Sequence, residues 1–432
     1  MSATSEVIIA FVVMGIIFYL GFKAKLTVGM IMILASLAAA FVVGFGLPIQ
    51  HLIEGTFYFE NLMAIIITGM VFIGIMRATG SLDAITRFLM SKFYKYPSLL
   101  LAILAVIVMF PAMITGSTPV SVLTTGALVA PILIRMRIPK LEAAAIIGMA
   151  ALMGQSAPPV NVMVMIICTS TFMPYEGFML PLALLTFPLA ILSAIVLGRK
   201  YVTVPKLKEL VEEDFREKRI ISGAKLYSLF APLIMLVILM VLPRILPFGF
   251  PDPSMAMTFM VCTLIALFTG VKRINFFTES LNIFRESFTV MVLFLGMGVF
   301  VHFMSLTGGS GLLATTTVAL PRWALYLSTA IAPPLIGGPI VPFGTAAIIG
   351  PPIVLAFSNL NAIIVTSGLS LLLSLGCLAP PTALSSLFAA RIVGIENYLS
   401  VTKRCWSLAL LTAVIGLLVI YFANPIAAFL GL

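Results

Sequence analysis

Apolar runs long enough for a spanning helix of about 20 residues recur at 7–22, 26–46, 62–80, 142–175, 178–198, 226–247, 255–271, 287–306, 360–393 and 405–423. They predict ten membrane crossings, of which 142–175 and 360–393 are broken in the middle by Gly and Pro. Two further apolar runs, 98–134 and 322–357, are flanked by groups on one side of the membrane only. Each predicts a re-entrant hairpin, with its turn at Thr115-Gly116-Ser117-Thr118 or at Gly337-Gly338-Pro339. Between 81 and 96 the spacing of Leu82, Ile85, Phe88, Leu89 and Phe93 predicts an interfacial arm helix ahead of the first hairpin. The long polar segment 199–225 predicts a cytoplasmic linker with a short amphipathic helix at 206–214.

The pattern is written twice. Gly154-Gln155-Ser156-Ala157-Pro158-Pro159 returns as Gly376-Cys377-Leu378-Ala379-Pro380-Pro381, 222 residues later, and Pro111 and Gly116 face Pro333 and Gly338 at the same offset. A weaker echo relates Met76–Leu82 to Met304–Ser310. Five crossings precede the linker, so the second half enters the membrane in the opposite orientation and the repeat is an inverted one. The expected architecture is an all-α polytopic membrane protein with five crossings and one re-entrant hairpin per half. Its units are a first repeat over 1–198, the linker over 199–225 and a second repeat over 226–432.

Composition agrees with this reading and orients it. Charged residues make up 9% and hydrophobic residues 61% of the 432 residues, which excludes an ordinary soluble protein. The net charge of +10 reflects loop placement. With both termini outside, all but Arg244 and Arg322 of the 25 basic residues fall on the cytoplasmic side. Lys23 and Lys25 follow the first apolar run, where a cleavable signal would carry charge in front, so that run reads as a retained helix. The four cysteines are scattered in apolar segments without metal-ligand spacing.

The candidate chemistry lies in the breaks. Gly116 can end one half-helix, Ser117 or Thr118 can cap the next, and Pro119 suits its first turn. Gly154 ends another, Gln155 and Ser156 cross the gap, and Asn161 follows. The second half repeats the design with Gly338, Pro339 and Thr345 in the hairpin and Gly376, Cys377, Ala379, Thr382 and Ser385 around the broken helix. Half-helix C-termini offer carbonyls to a cation and N-termini offer N–H groups to an anion. Residues 98–134 and 323–390 contain no Asp, Glu, Lys, Arg or His. A proton-coupled carrier normally places a titratable group in its pathway. The expected coupling ion is therefore Na+, with Ser117, Ser156, Gly338 and Gly376 as the candidate cation positions and a small organic anion as cargo. Asn161, Ser385 and Ser386 serve equally well as interhelical hydrogen-bonding residues.

These residues resemble the large membrane subunit of the tripartite ATP-independent periplasmic (TRAP) transporters, within the wider ion transporter superfamily. Gly116-Ser117 with Ala127-Leu128-Val129-Ala130-Pro131 looks like the family's first hairpin, and 154–159 like its first broken helix. Leu378-Ala379-Pro380-Pro381-Thr382-Ala383-Leu384, running on to Phe388-Ala389-Ala390-Arg391-Ile392-Val393-Gly394, looks like its second and is the most specific match. The resemblance implies an elevator-type transporter that carries a carboxylate or sugar acid with Na+ in a bacterial or archaeal inner membrane. It also implies a small four-helix membrane subunit and a periplasmic substrate-binding protein as partners. One departure stands out: the family's second hairpin often carries an Asp shortly before a Pro, and 338–345 has no acid. That leaves a one-component Na+-coupled carboxylate symporter of the same superfamily as the rival. Neither nucleic-acid binding nor catalysis is expected, since no H-E-x-x-H, nucleophile elbow or paired intramembrane acids occur.

Overall fold

The computed structural model describes residues 3–203, 224–245 and 253–432. The expected amphipathic helix at 206–214 lies outside the described residues. The first half opens with α1 (Ala3–Lys23), α2 (Val28–Val42), a short α3 (Ile49–Phe57) and α4 (Glu60–Ala78). The arm α5 (Ser81–Phe93) leads into the first hairpin, made of α6 (Pro97–Thr115), α7 (Thr118–Ser121), a π-helical turn at Val122–Gly126 and α8 (Ala127–Arg135). The broken helix follows as α9 (Lys140–Gln155) and α10 (Val162–Thr171), and α11 (Met179–Gly198) closes the half.

The second half has the same order. Helices α12 (Ala224–Ile245), α13 (Met255–Thr269) and α14 (Phe276–Leu306) precede an arm, α15 (Gly309–Val318), and the hairpin segment α16 (Arg322–Ala356). The second broken helix is α17 (Ala362–Ser374), a 3₁₀ turn at Leu375–Cys377, and α18 (Leu384–Val393), followed by α19 (Tyr398–Tyr421) and α20 (Ala423–Leu430). Eight helices among the described residues are long and apolar enough to cross a membrane. The protein is an all-helical, multi-pass membrane protein, and no strand occurs among the described residues.

Local sequence explains where helices begin and end. Both arms start after a left-handed glycine, Gly80 (φ 73°) and Gly308 (φ 78°), which is the structural content of the Met76/Met304 echo. Asn161, Ser254, Asn275, Asn361 and Asn397 each cap a helix by accepting a first-turn N–H. Three features depart from the sequence reading. Helix α14 begins at Phe276 rather than 287, because the half-buried Glu279 and the exposed Arg285 and Glu286 are carried on the same helix. The short helices α3, α15 and α20 are too brief to register as apolar runs.

The third departure is the second hairpin's turn. The break falls at Val341 (φ 61°, ψ 157°), not at Gly337-Gly338-Pro339. The glycines are used for close approach instead: a Cβ on Gly337 would lie 2.8 Å from the Gly376 Cα.

Two packed bodies result. In one, α2 packs on α1 and α14, α14 also holds α3 and α4, and α13 joins α4 to α12. In the other, α9 packs against α6, α11, α18 and α19, while α16 packs against α10, α15 and α17. The halves thus exchange partners, with α9 of the first on α18 of the second and α10 on the second hairpin. In a membrane helices gain little from hydrophobic exclusion and associate through close van der Waals contact, which small residues permit. Helix α9 is built accordingly, with Ala143, Ala144, Ala145, Gly148, Ala150, Ala151 and Gly154 all buried. A part-buried ion pair, Arg404 Nε to Glu142 Oε2 at 2.6 Å, ties the start of α19 to that of α9.

Candidate functional site

Between the two bodies lies a cavity of about 760 Å³. Its outer wall is the α1–α2 turn (Leu26, Thr27), α4 (Met70, Ile73) and α14 (Thr289, Leu293); its inner wall is the first hairpin tip (Ser117, Thr118), Gln155, Cys377 and Thr382. At the mouth, α4 and α14 of the outer wall are joined by an ion pair, Arg77 Nη2 lying 3.1 Å from Glu286 Oε2. The inner end has none.

The first tip is built by backbone chemistry. Gly116 (φ 63°, ψ 9°) ends α6 and donates its N–H to Ala112 O at 2.7 Å. A side chain there would adopt a left-handed backbone and overlap Val162 Cγ2. The Ser117 N–H reaches Thr115 Oγ1 at 3.2 Å, and the buried Ser117 side chain lines the cavity. Thr118 then donates its hydroxyl to Gln155 Oε1. Cys377 Sγ lies 3.3 Å from the same oxygen and 3.7 Å from Thr118 Oγ1. Gln155 and Cys377 are repeat-related positions, so the two broken helices meet through equivalent residues.

The breaks themselves are satisfied by protein, as backbone at membrane depth requires. Asn161 Nδ2 donates to Ser156 O at 2.8 Å, and Asn161 Oδ1 accepts from Val164 N at 3.1 Å, so one side chain spans the first break. The Tyr175 hydroxyl donates to Pro159 O and accepts the Asn161 N–H, both at 3.1 Å. Pro158-Pro159 and Pro380-Pro381 are both cis. In the second break Ala383 occupies the position of Asn161, and the Tyr398 hydroxyl reaches Pro381 O at 3.4 Å.

The expected site residues therefore separate by location. Ser117, Thr118, Gln155, Cys377 and Thr382 gather on the cavity, with Gly116 behind Ser117 and Gly154 behind Gln155. Thr382 Oγ1 donates to Gly338 O at 2.6 Å and so fastens the second hairpin. Thr345 donates to Val341 O at 3.0 Å, and Ser385 donates to Gly148 O at 2.7 Å, away from the cavity. Gly376 packs on Gly337, and Pro339 and Ala379 flank that contact in sequence. Asn161 is occupied in capping.

The chain matches the family model described as "Tripartite ATP-independent periplasmic transporter, DctM component" over residues 7–425. The chain belongs to the DctM family. It is thus a transport subunit of a tripartite secondary transporter, and both hairpins and both broken helices lie within the span matched to DctM. No curated protein sequence matches the chain. Among solved structures it is similar to the YdaH transporter of Alcanivorax borkumensis, described as having an unusual topology. That match has a TM-score of 0.53 and 15% identity over 87% of each chain. At that identity the likeness is one of fold.

One group in this DctM chain escaped the sequence reading. Thr366, Ser367, Ser370 and Ser374 are all fully buried in α17. Thr366, Ser370 and Ser374 recur every fourth residue, so they share one helix face. Thr366 Oγ1 has no hydrogen-bond partner, and Ser156 Oγ lies 3.5 Å from Ser370 O. That separation is long for a hydroxyl hydrogen bond. A polar residue every fourth position in an otherwise apolar run was the available signal.

Proposed function

We propose that this DctM chain imports a small organic anion, a carboxylate or sugar acid, by Na+ symport. In this reading the hairpins and broken helices move as one body against the scaffold of α1–α4 and α12–α14, in an elevator motion. The cavity between those two bodies carries the proposal. Its mouth is marked by Arg77 and Glu286, at the end of α4 that the distribution of basic residues assigns to the cytoplasm. The conformation is then inward-open, with the termini outside and the inner membrane as the location.

The chemistry of the inner end favours this cargo and coupling. Hydroxyl, amide and thiol groups at Ser117, Thr118, Gln155, Cys377 and Thr382 offer hydrogen bonds but no titratable carboxylate or imidazole. Na+ would be held by neutral oxygens, with Ser117, Ser156 and the Ser370 carbonyl as ligands in this reading and Gly338 and Gly376 contributing from the second half. Bound cations would offset the charge of an anion without a fixed positive residue. A small four-helix subunit and a periplasmic binding protein complete the assembly.

The test is uptake of a panel of small carboxylates and sugar acids into proteoliposomes, with and without a candidate binding protein and small subunit. Uptake driven by a Na+ gradient and requiring both partners is the expected result. Uptake that persists without Na+ and collapses with the proton gradient overturns the coupling; Na+-driven uptake by the chain alone assigns it to the one-component rival.

A further inference from the structure

The only two histidines of the chain, His51 and His302, lie 251 positions apart in sequence and meet on the face opposite the cavity mouth. His51 Nδ1 is 3.1 Å from Glu54 Oε2, His302 Nε2 is 3.4 Å from the same oxygen, and the two ring nitrogens are 3.4 Å apart. We propose that His51, Glu54 and His302 form a binding site for a divalent transition-metal ion of the zinc class, joining α3 to α14.

The ligand set and its dimensions carry this assignment. Two imidazoles and one carboxylate suit zinc and its neighbours, whereas Mg²⁺ and Ca²⁺ take oxygen alone. A tetrahedral ion with bonds of about 2.0–2.1 Å holds its ligand atoms about 3.3 Å apart. The observed triangle of 3.1, 3.4 and 3.4 Å is one face of such a tetrahedron. Side-chain exposures of 35% for His51, 45% for Glu54 and 22% for His302 leave the fourth position open to water.

The surrounding structure fixes the three groups before any ion arrives. One turn from His51, Gly55 packs so closely on α14 that a Cβ there would lie 2.7 Å from the Val299 Cα. One turn from His302, a Cβ on Gly298 would overlap the Gly55 carbonyl. This backbone contact sets the distance between the imidazoles. Gln50 Nε2 donates to Glu54 Oε1 at 2.9 Å, leaving Oε2 for the ion. This outer contact orients the Glu54 carboxylate toward the two imidazoles.

The test uses the full chain, purified in detergent and stripped with a chelator, titrated with Zn²⁺ against a chromophoric competitor, with Co²⁺ as a spectroscopic stand-in. One equivalent of tight binding and an intense tetrahedral Co²⁺ band are expected. His51→Gln and His302→Gln should each weaken binding more than tenfold and abolish the band. Gln50→Ala, which leaves the ligands in place, should weaken binding by about tenfold. All variants are compared as monodisperse protein by gel filtration, and Glu54→Gln replaces either histidine variant that fails that criterion. No binding at micromolar Zn²⁺, or unchanged binding in the His51→Gln/His302→Gln double variant, overturns the site.

Discussion

The two hairpin tips occupy equivalent places in the repeat and are fastened to their broken helices in opposite senses. At the first tip the hairpin supplies the hydroxyl: Thr118 donates to the Gln155 side chain. At the second tip Pro339 and Ile340 stand where the first has Ser117 and Thr118, and the hydroxyl comes from the broken helix, Thr382 donating to the hairpin carbonyl Gly338 O. The first tip turns through a left-handed glycine, the second through Val341 in a region that β-branched residues avoid. A symmetric architecture has therefore placed its side-chain chemistry on one hairpin only. The second hairpin offers backbone and shape.

That asymmetry orders the expected effects of substitution. Gly116→Ala should be the most damaging, since it adds about 1–2 kcal/mol of left-handed backbone cost to an overlap with Val162 Cγ2. Loss of most uptake with normal membrane insertion is the expected outcome, against no change in Gly15→Ala, where a Cβ would meet nothing within 4 Å. Normal uptake in Gly116→Ala would remove the tip from the pathway.

Next, Thr118→Val should destabilise the purified protein by about 1–3 kcal/mol, because the buried Gln155 oxygen keeps only the weak thiol donor of Cys377. The corresponding Thr382→Val should cost about 0.5–1.5 kcal/mol, the worth of one neutral hydrogen bond. Thermal unfolding in detergent measures both, and the reverse ranking would contradict the asymmetry. Asn161→Ala should cost about 1 kcal/mol through the lost cap and about 0.5–1.5 kcal/mol through the lost bond to Ser156 O; an unchanged melting temperature would contradict its role across the break. The smallest effect is expected at Val341. Replacing it by Gly relieves about 1–3 kcal/mol of backbone strain but gives up about 0.5–1 kcal/mol of chain entropy and about 1.5–3 kcal/mol for the buried side chain, so the melting temperature should hold or fall slightly.

Much of this was legible in the sequence because helix breakers in apolar runs have few other uses. Gly116, Ser117 and Pro119 spelled the first tip, and the cavity opens where they lie. The doubled Ala-Pro-Pro marked both breaks. The second tip was misplaced by four residues from Gly337 to Val341, because glycine serves both turns and close helix contacts and sequence does not say which. Asn161 and Ser385 were visible as polar residues, but their engagement with Ser156 O, Val164 N and Gly148 O depends on tertiary placement. The Thr366–Ser374 ladder was overlooked because each member alone looks like an ordinary membrane hydroxyl.

The doubled motif and the cavity meet in one claim: the space between scaffold and hairpins is the inward-facing pathway. The most direct measurement is labelling of Leu123→Cys, a position that is 48% exposed and lines the cavity. A membrane-impermeant maleimide is applied to inside-out and right-side-out vesicles. The expected result is fast labelling from the cytoplasmic side only, loss of uptake once labelled, and slower labelling in the presence of Na+ and transported anion. Labelling from the outside alone, or full uptake by the labelled protein, would contradict it.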